Sequence, residues 1–470
     1  MMKYWWFIIF LLFPATLGQF NFPSKKDSAS ASASSSTIAD RCFCELKGNV
    51  DECECSVDFV DTFNNYRIYP RTKRLLSKNY FRFYKVNLKK PCPYWEDEGG
   101  CVLKSCAVES CPAENMPAGL YTPRQSVFFG PVNDPKKIEE TCASNDQLGY
   151  INTTLTKQMS ADLARWTFHD ENLNSFCDID DEESNQSVFV DLFLNPERFT
   201  GYKGPSAQRI WKSIYEENCF KPGRGYGPYI DSTNVGDLCL EKRAFYRAIS
   251  GLHTSINVHL CSEYLLSKGG VSSLEKSRWG PNPEEFQRRF DPELTNGEGP
   301  QRLRNLYFLY LLELRALAKA APFIEQLDFY TGNAVEDAEV YAAVHDLLHH
   351  VKTFKPHFNE TSMFNGDRHA EKLKAEFRHH FRNITQIMDC VGCEKCKLWG
   401  KLQTQGLGTA LKILFSGTFD EADPTAFDLA SMKKTHFKLT RNEIVSLFNA
   451  FGRLAHSIYS LEDFRQLAKS

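Results

Sequence analysis

Cys390, Cys393 and Cys396 stand in the run C-V-G-C-E-K-C, which opens an apolar, helix-like stretch near the C-terminal end of a 470-residue chain. Two cysteines with two residues between them can alternate between dithiol and disulfide. A helix starting there would favour the thiolate through its aligned N–H groups and the positive end of its dipole. Lys395 and Lys397 push the same way. The third thiol offers a structural partner or a neighbour for exchange. The spacing alone fits a metal site equally, because C-x-x-C also supplies two zinc ligands.

Cys101 and Cys106 form a second pair, enclosing Val-Leu-Lys-Ser. Glu96-Asp97-Glu98-Gly99-Gly100 before them and Cys111-Pro112 after them predict an exposed, mobile loop. A disulfide on such a loop can reach a partner protein's thiol. One at the head of a buried helix cannot, but it can sit against a cofactor. Two pairs so placed suggest a relay that accepts electrons outside and passes them inward by thiol–disulfide exchange. The plainer alternative is two structural bridges.

The compartment follows from the first residues. Lys3 precedes an apolar stretch from Tyr4 to Phe13, and Pro14-Ala15-Thr16-Leu17-Gly18 suits cleavage before Gln19. Residues 1–18 therefore read as a signal peptide, too short to span a bilayer. The strongest later run, Leu306 to Leu312, is ended by Glu313 and Arg315. The mature chain is expected to be soluble in an oxidising lumen, where its sixteen cysteines read as disulfides before they read as zinc ligands. No metal is expected. A chain this long does not need disulfides to make up for a missing core, so some of these cysteines should carry chemistry. Sequons at Asn152, Asn185, Asn359 and Asn383 fit the same route. A net charge of −3 with interspersed signs gives no reason to expect nucleic acid or an anionic membrane. The acidic stretch Asp178 to Glu183 reads as a solvated loop.

The elements that must position these thiols are mainly helical. Residues 19–40 form a leader containing a Ser/Ala tract from Ser28 to Ser36. Residues 41–145 hold nine cysteines and are expected to be loop-rich, with the C-x-C pairs Cys42/Cys44 and Cys53/Cys55 clipping a hairpin. Residues 146–470 carry helical spacing over Ser206–Glu217 and Glu241–Ser267. Pro300 opens the clearest helix, apolar on both sides and so buried. Thr440 and Glu443 form a capping box before Ile444, Leu447, Phe448 and Phe451. Strand signals are sparse. The predicted fold is mainly α: one helical bundle with the Cys-rich segment packed on it.

C-V-G-C-E-K-C-K-L-W-G-K-L-Q-T-Q-G-L-G-T-A-L-K from Cys390 resembles the active-site signature of the endoplasmic-reticulum oxidoreductins, flavin-dependent thiol oxidases that reoxidise protein disulfide isomerase. The resemblance continues in N-P-E-R-F-T-G-Y-K-G-P from Asn195, S-G-L-H-T-S-I-N-V-H-L from Ser250 and L-T-R-N-E-I-V-S-L-F-N-A-F-G from Leu439. R-C-F-C from Arg41 and P-C-P-Y-W from Pro91 extend it over nearly the whole mature chain.

That resemblance implies FAD held inside the bundle, although no G-x-G-x-x-G follows a strand here. Carried over by motif, Arg198, Thr200, Trp211, Ser250 and His253 would contact the flavin nucleotide. Arg289 and Arg302 would bind its pyrophosphate. Taken singly, a tryptophan or histidine on a helix is more often core than ligand, so these assignments rest on the resemblance. It also implies Cys101–Cys106 as the shuttle pair and Cys393–Cys396 as the inner pair, with oxygen as acceptor and hydrogen peroxide as product. An inactive state would bridge Cys101 to Cys142 and Cys106 to Cys111. Structural bridges would join Cys42–Cys55, Cys44–Cys53, Cys92–Cys390 and Cys219–Cys239. Cys177 and Cys261 are left over, Cys261 as a buried, inert thiol or as a partner of Cys177. The chain is expected to be a monomer in the lumen of the endoplasmic reticulum, peripheral on the membrane at most. Its C-terminus is not K-D-E-L-like, so binding to retained partners such as the isomerase would hold it there. The rival readings are a flavin-free dithiol exchanger and a disulfide-rich luminal binding protein without catalysis.

Overall fold

Helix starts here are set by side chains that take up orphan backbone N–H groups. Ser56 accepts from Phe59 N–H at the head of α1 (Val57–Phe63). Asn282 accepts from Glu285 N–H ahead of α7 (Pro283–Phe290), whose Pro283 suits a first turn. Asn333 accepts from Val335 and Glu336 N–H at α9 (Ala334–Lys352). The capping box closes as expected at α12 (Arg441–Lys469). There Glu443 N–H donates to Thr440 Oγ1 at 3.2 Å, and Thr440 N–H donates to Glu443 Oε2 at 2.7 Å.

The structure is a computed structural model, and it describes residues 46, 50, 55–91, 107–121, 176, 184–197, 204–219, 238–266, 278–354, 370–415 and 439–469. The remaining helices are α2 (Tyr69–Leu76), α3 (Asn79–Arg82), α4 (Ala118–Tyr121), α5 (Gly204–Asn218), α6 (Leu240–Ser262), α8 (Glu298–Ile324), α10 (Ala370–Met388) and α11 (Glu394–Phe415). Residues 37–470 form one compact unit. The signal-peptide and leader expectations lie outside the described residues.

The architecture is mainly α. At its centre α6 packs along α8 and α11 along α12, with α8 touching both members of the second pair. Glycines let the helices approach. A Cβ on Gly251 of α6 would lie 2.4 Å from Asn305 O of α8, and one on Gly406 of α11 would lie 2.3 Å from Ala450 Cβ of α12. Buried α8 residues such as Leu303, Leu306, Tyr307, Tyr310 and Leu314 belong to one continuous apolar core. α10 lies across α11 and α5.

Two expectations are corrected. Residues 57–86 are not loop-rich. A helical run extends from Val57 through a π-turn at Asn64–Ile68 into α2, and α3 and a strand follow it. Pro70 lies in the first turn of α2. Its missing N–H and its ring disfavour a regular turn, which the wider π-turn before it accommodates. The helix from Glu241 stops at Ser262 rather than Ser267. Tyr264–Leu266 (β3) instead pairs antiparallel with Arg278–Gly280 (β4). Ladder bonds to β4 replace another helical turn.

A second small sheet prepares the site. Phe83–Val86 (β1) pairs antiparallel with Val188–Asp191 (β2). Ser110 bridges Val190 and Cys111 N–H donates to Phe189 O at 2.9 Å, so residues 110–111 border β2. Arg441 of α12 donates to Tyr80 O at 2.6 Å and Phe83 O at 2.7 Å, fixing this sheet to the bundle.

Candidate active site

Cys393 occupies the N-cap position of α11, and its carbonyl accepts Lys397 N–H at 2.8 Å as the first bond of the helix. Its sulfur accepts from the N–H groups of Lys395 and Cys396 and from the Cys396 thiol. That thiol hydrogen bond is the largest influence holding Cys393 below the ordinary thiol range; burial opposes it, and the backbone N–H groups and the Lys395 ammonium add to it. Cys393 and Cys396 are both buried thiols. Lys397 does not share the role expected of it. Its ammonium donates to Leu88 O at 3.2 Å and Lys90 O at 3.3 Å. Cys390 is disulfide-bonded, which removes it from exchange; its expected partner Cys92 lies outside the described residues.

Cys101 and Cys106 also lie outside the described residues, but the chain on both sides of them does not. Before them, Leu88 and Lys90 are held by Lys397, and Lys90 pairs with Asp389 at 3.9 Å. After them, Val108 N–H donates to a Glu394 carboxylate oxygen at 3.3 Å. Asn195, fully buried, brackets the backbone of Glu109: its Oδ1 accepts Glu109 N–H and its Nδ2 donates to Glu109 O, both at 2.9 Å. The Asn195 carbonyl accepts Trp399 Nε1–H of α11 at 2.9 Å. Both flanks of residues 92–106 are thus tied to the first two turns of the helix that begins with the inner pair.

A second cluster gathers the expected nucleotide ligands. Trp211 of α5 stacks on His253 of α6, centroids 3.9 Å apart and planes 11° apart. Tyr215 OH and His253 Nδ1 share a hydrogen bond at 3.1 Å. Burial, then the nearby Arg302 and Arg289 cations, push His253 down to about 3, so the ring is neutral. Ser250 Oγ accepts from Asn305 Nδ2 at 2.8 Å. Arg289 is held by Glu285 and Asn257, and Arg302 by Glu298. Trp211, Ser250, His253, Arg289 and Arg302 therefore converge; Arg198 and Thr200 lie outside the described residues. The donor set fits a dinucleotide. It offers flat aromatic faces, two guanidinium groups for a diphosphate, and a buried Trp211 Nε1–H with no partner in the structure. Tyr215 and Asn305 were missed. Tyr215 sits one turn beyond Trp211, and a buried asparagine in an otherwise apolar run was the available signal for Asn305.

The other cysteines divide by setting. Cys219 is buried and Cys239 exposed, and both stand as thiols, so the expected Cys219–Cys239 bridge is not made in this structure. Cys239 caps α6 while Cys219 closes α5 inside the core, and residues 220–237 between them lie outside the described set. Cys55 and Cys111 are thiols pushed up to about 11 by burial; Cys42 and Cys106, their expected partners, are not described. Cys44, Cys53, Cys142 and Cys177 are likewise outside, and Cys261 is a fully buried thiol. Of the sequons, Asn185 lies exposed in a turn, Asn383 is buried on α10, and Asn152 and Asn359 are not described. Among the described residues no group of three or more His, Cys, Asp or Glu is arranged to hold a metal. No helix among them is long and apolar enough to cross a membrane.

A thiol pair at a helix start and a separate cluster suited to a dinucleotide have a counterpart among known families. The sequence profile of the Endoplasmic Reticulum Oxidoreductin 1 (ERO1) family matches residues 67–461. The chain belongs to the ERO1 family. It is 53% identical to ERO1-like protein alpha of Mus musculus, covering 92% of this chain and 93% of that one. It is 48% identical to the Ero1-like protein of Drosophila melanogaster, covering 90% of each. The solved structure of Ero1p, described as the source of disulfide bonds for oxidative protein folding in the cell, matches with a TM-score of 0.56 at 31% identity, over 88% of this chain and 99% of that one. ERO1 membership makes the protein a thiol oxidoreductase of the endoplasmic reticulum with a role in oxidative folding.

Proposed function

We propose that this ERO1 protein is an FAD-dependent thiol oxidase of the lumen that oxidises protein disulfide isomerase. The observation that carries the reading is Cys393 at the N-cap of α11, hydrogen-bonded by Cys396 and by two backbone N–H groups. Such a sulfur is stable as a thiolate when the pair is reduced, so the disulfide form accepts electrons readily.

The isomerase thiolate attacks the Cys101–Cys106 disulfide, and a second isomerase thiol resolves the mixed disulfide. The outer dithiol then reduces Cys393–Cys396 by the same exchange. The isomerase couple, at about −180 mV, is mild enough to be driven this way. Trp211, His253, Ser250, Arg289 and Arg302, joined by Arg198 and Thr200, would hold FAD. When bound, FAD supplies a two-electron acceptor that molecular oxygen reoxidises with release of hydrogen peroxide. Neutral His253 and Trp211 stack without adding charge, and Arg289 and Arg302 would supply the positive charge for the diphosphate. Cys101–Cys142 and Cys106–Cys111 bridges would occupy the outer cysteines in a resting form, so a more reducing lumen would raise activity. The enzyme would act as a monomer, peripheral on the luminal membrane at most.

Replacing Cys393 or Cys396 with Ala should abolish oxygen uptake driven by reduced isomerase, read with an oxygen electrode. Full turnover in both variants would remove the inner pair from the mechanism. Purified protein should also show flavin absorbance, which both rival readings exclude.

A further inference from the structure

Polar side chains beside the nucleotide cluster form one hydrogen-bonded chain, and its direction is set at the end that can only donate. That end is Arg247 of α6. Its Nε–H donates to Asn305 Oδ1 of α8 at 3.1 Å, and Gln301 Nε2 donates to the same oxygen at 3.4 Å. The guanidinium also lies over the Phe308 ring, 4.3 Å from its centroid, which holds it in place. Asn305 must therefore turn its amide nitrogen the other way, where Nδ2 donates to Ser250 Oγ at 2.8 Å. Ser250 has one hydroxyl proton left to give. It hydrogen-bonds the Tyr215 hydroxyl, and that hydroxyl meets His253 Nδ1 at 3.1 Å. Were Tyr215 instead to donate to Ser250, the Ser250 proton would have no acceptor among the described residues. Arg247, Asn305 and Ser250 are buried, so bulk water does not compete for these bonds.

We propose that this chain locks His253 in its Nε2–H tautomer, so that the ring presents an uncharged N–H donor to an acceptor atom of the bound dinucleotide. This rests on the FAD reading above and specifies how one of its ligands is set. Ser250 donates to the Tyr215 oxygen and Tyr215 donates to His253 Nδ1, which leaves the ring proton on Nε2. Trp211 covers one face of the ring and Tyr215 occupies Nδ1, so Nε2 is the polar atom left for a ligand. The residue keeps part of its surface open. Burial and the Arg302 and Arg289 cations keep the imidazole neutral. The two guanidinium groups then supply charge and the imidazole supplies direction. Arg247, Asn305 and Tyr215 are positioning residues, and none of them needs to touch the ligand.

A purely structural role for the same contacts predicts something different. If these side chains only tie α5, α6 and α8 together, a substitution that keeps their bonds leaves His253 as it is. Asn305→Asp keeps the shape but replaces the amide donor with a second acceptor oxygen. Ser250 must then donate to the introduced carboxylate, and Tyr215 must donate to Ser250. The Tyr215 oxygen is left to accept from His253 Nδ1–H, so the ring proton moves from Nε2 to Nδ1. Arg247 neutralises the added charge.

The tautomer can be read directly. Full-length protein purified with its flavin and carrying isotope-labelled histidine ring nitrogens is measured by nitrogen NMR, with His253→Gln to assign the signals. In the parent, Nδ1 should resonate as an unprotonated nitrogen and Nε2 as a protonated one. Asn305→Asp should exchange the two. Release of FAD on dilution, followed by free-flavin fluorescence, should become about tenfold faster in that variant, the scale of one lost hydrogen bond. A parent holding the proton on Nδ1, or an Asn305→Asp protein with the parental tautomer, overturns the proposal. Unchanged FAD release despite an exchanged tautomer also overturns it, because the donor then serves no ligand. Should Asn305→Asp fail to fold, Tyr215→Phe decides in its place: it should leave the two tautomers mixed, and a retained Nε2–H form refutes the chain. Purified protein that carries no flavin refutes the FAD reading, and the ligand half of the proposal falls with it; the nitrogen signals still decide whether the chain sets the ring.

Discussion

At the residue scale, the controlling atom is the Cys393 sulfur. Its depressed value stabilises the reduced pair, and the sign is definite. The gain is complete above the ordinary thiol value of about 8.5 and is lost as pH falls through the lower folded value. Reduced protein therefore gains stability with rising pH in that window, and the disulfide becomes a better oxidant. Lys395→Met should move the midpoint of Cys393 alkylation by iodoacetamide to higher pH and make the couple more reducing in a glutathione titration. An unchanged midpoint would leave the backbone N–H groups and the Cys396 thiol as the whole cause. The C-x-x-C spacing and the helix start were legible from sequence. Which lysine acts was not, because Lys395 and Lys397, two positions apart, point about 160° from each other on a helix and only packing decides that Lys397 meets the carbonyls of Leu88 and Lys90.

At the element scale, the contact between α6 and α8 sets the nucleotide cluster. Gly251 lies between Ser250 and His253, and a Cβ there would lie 2.4 Å from Asn305 O and 2.7 Å from Leu309 Cβ. Gly251→Ala should force the helices apart, costing about 1–3 kcal/mol in thermal unfolding. It should also weaken the FAD binding proposed above, measured by fluorescence, because the 2.8 Å Asn305–Ser250 bond spans the same contact. Wild-type affinity would separate the helix spacing from the site. The N-terminal helical run was hidden for a related reason. Its buried residues Val57, Val60, Phe63, Ile68 and Leu75 step by five across the π-turn, which breaks the 3.6-residue period a sequence reading relies on. Dense cysteines nearby suggested loops instead.

At the scale of the whole molecule, buried ion pairs fasten distant parts of the chain to the bundle. Arg465 near the C-terminus meets Asp61 of α1 at 2.5 Å and the Tyr307 hydroxyl of α8 at 3.0 Å. Burial pushes the Asp61 carboxyl up, against the pull of Arg465 and Tyr307. Arg453–Glu197 makes a similar tie at 2.5 Å, while Lys401–Asp389 at 2.6 Å closes the short link between α10 and α11. Arg465→Ala would strand a buried carboxylate and should cost about 3–5 kcal/mol in urea unfolding. The double variant with Asp61→Asn should recover much of that, since the uncompensated charge is gone. Equal losses in the single and double variants would show that packing of the Arg465 stem, rather than charge, is what matters.

Local chemistry was written in the chain order: the thiol spacing, the capping box at Thr440, the apolar run of α8, and the motifs that mark the family. Each depends on neighbours within a turn or two, which is the range over which hydrophobic period and capping act. The tertiary structure alone decided that Asn195, Glu109 and Trp399 meet, that Trp211 lies on His253, and that Lys397 grips the backbone at Leu88 and Lys90. Those contacts join residues tens to hundreds of positions apart. Their partners are selected by which helices close on one core, and no local pattern encodes that.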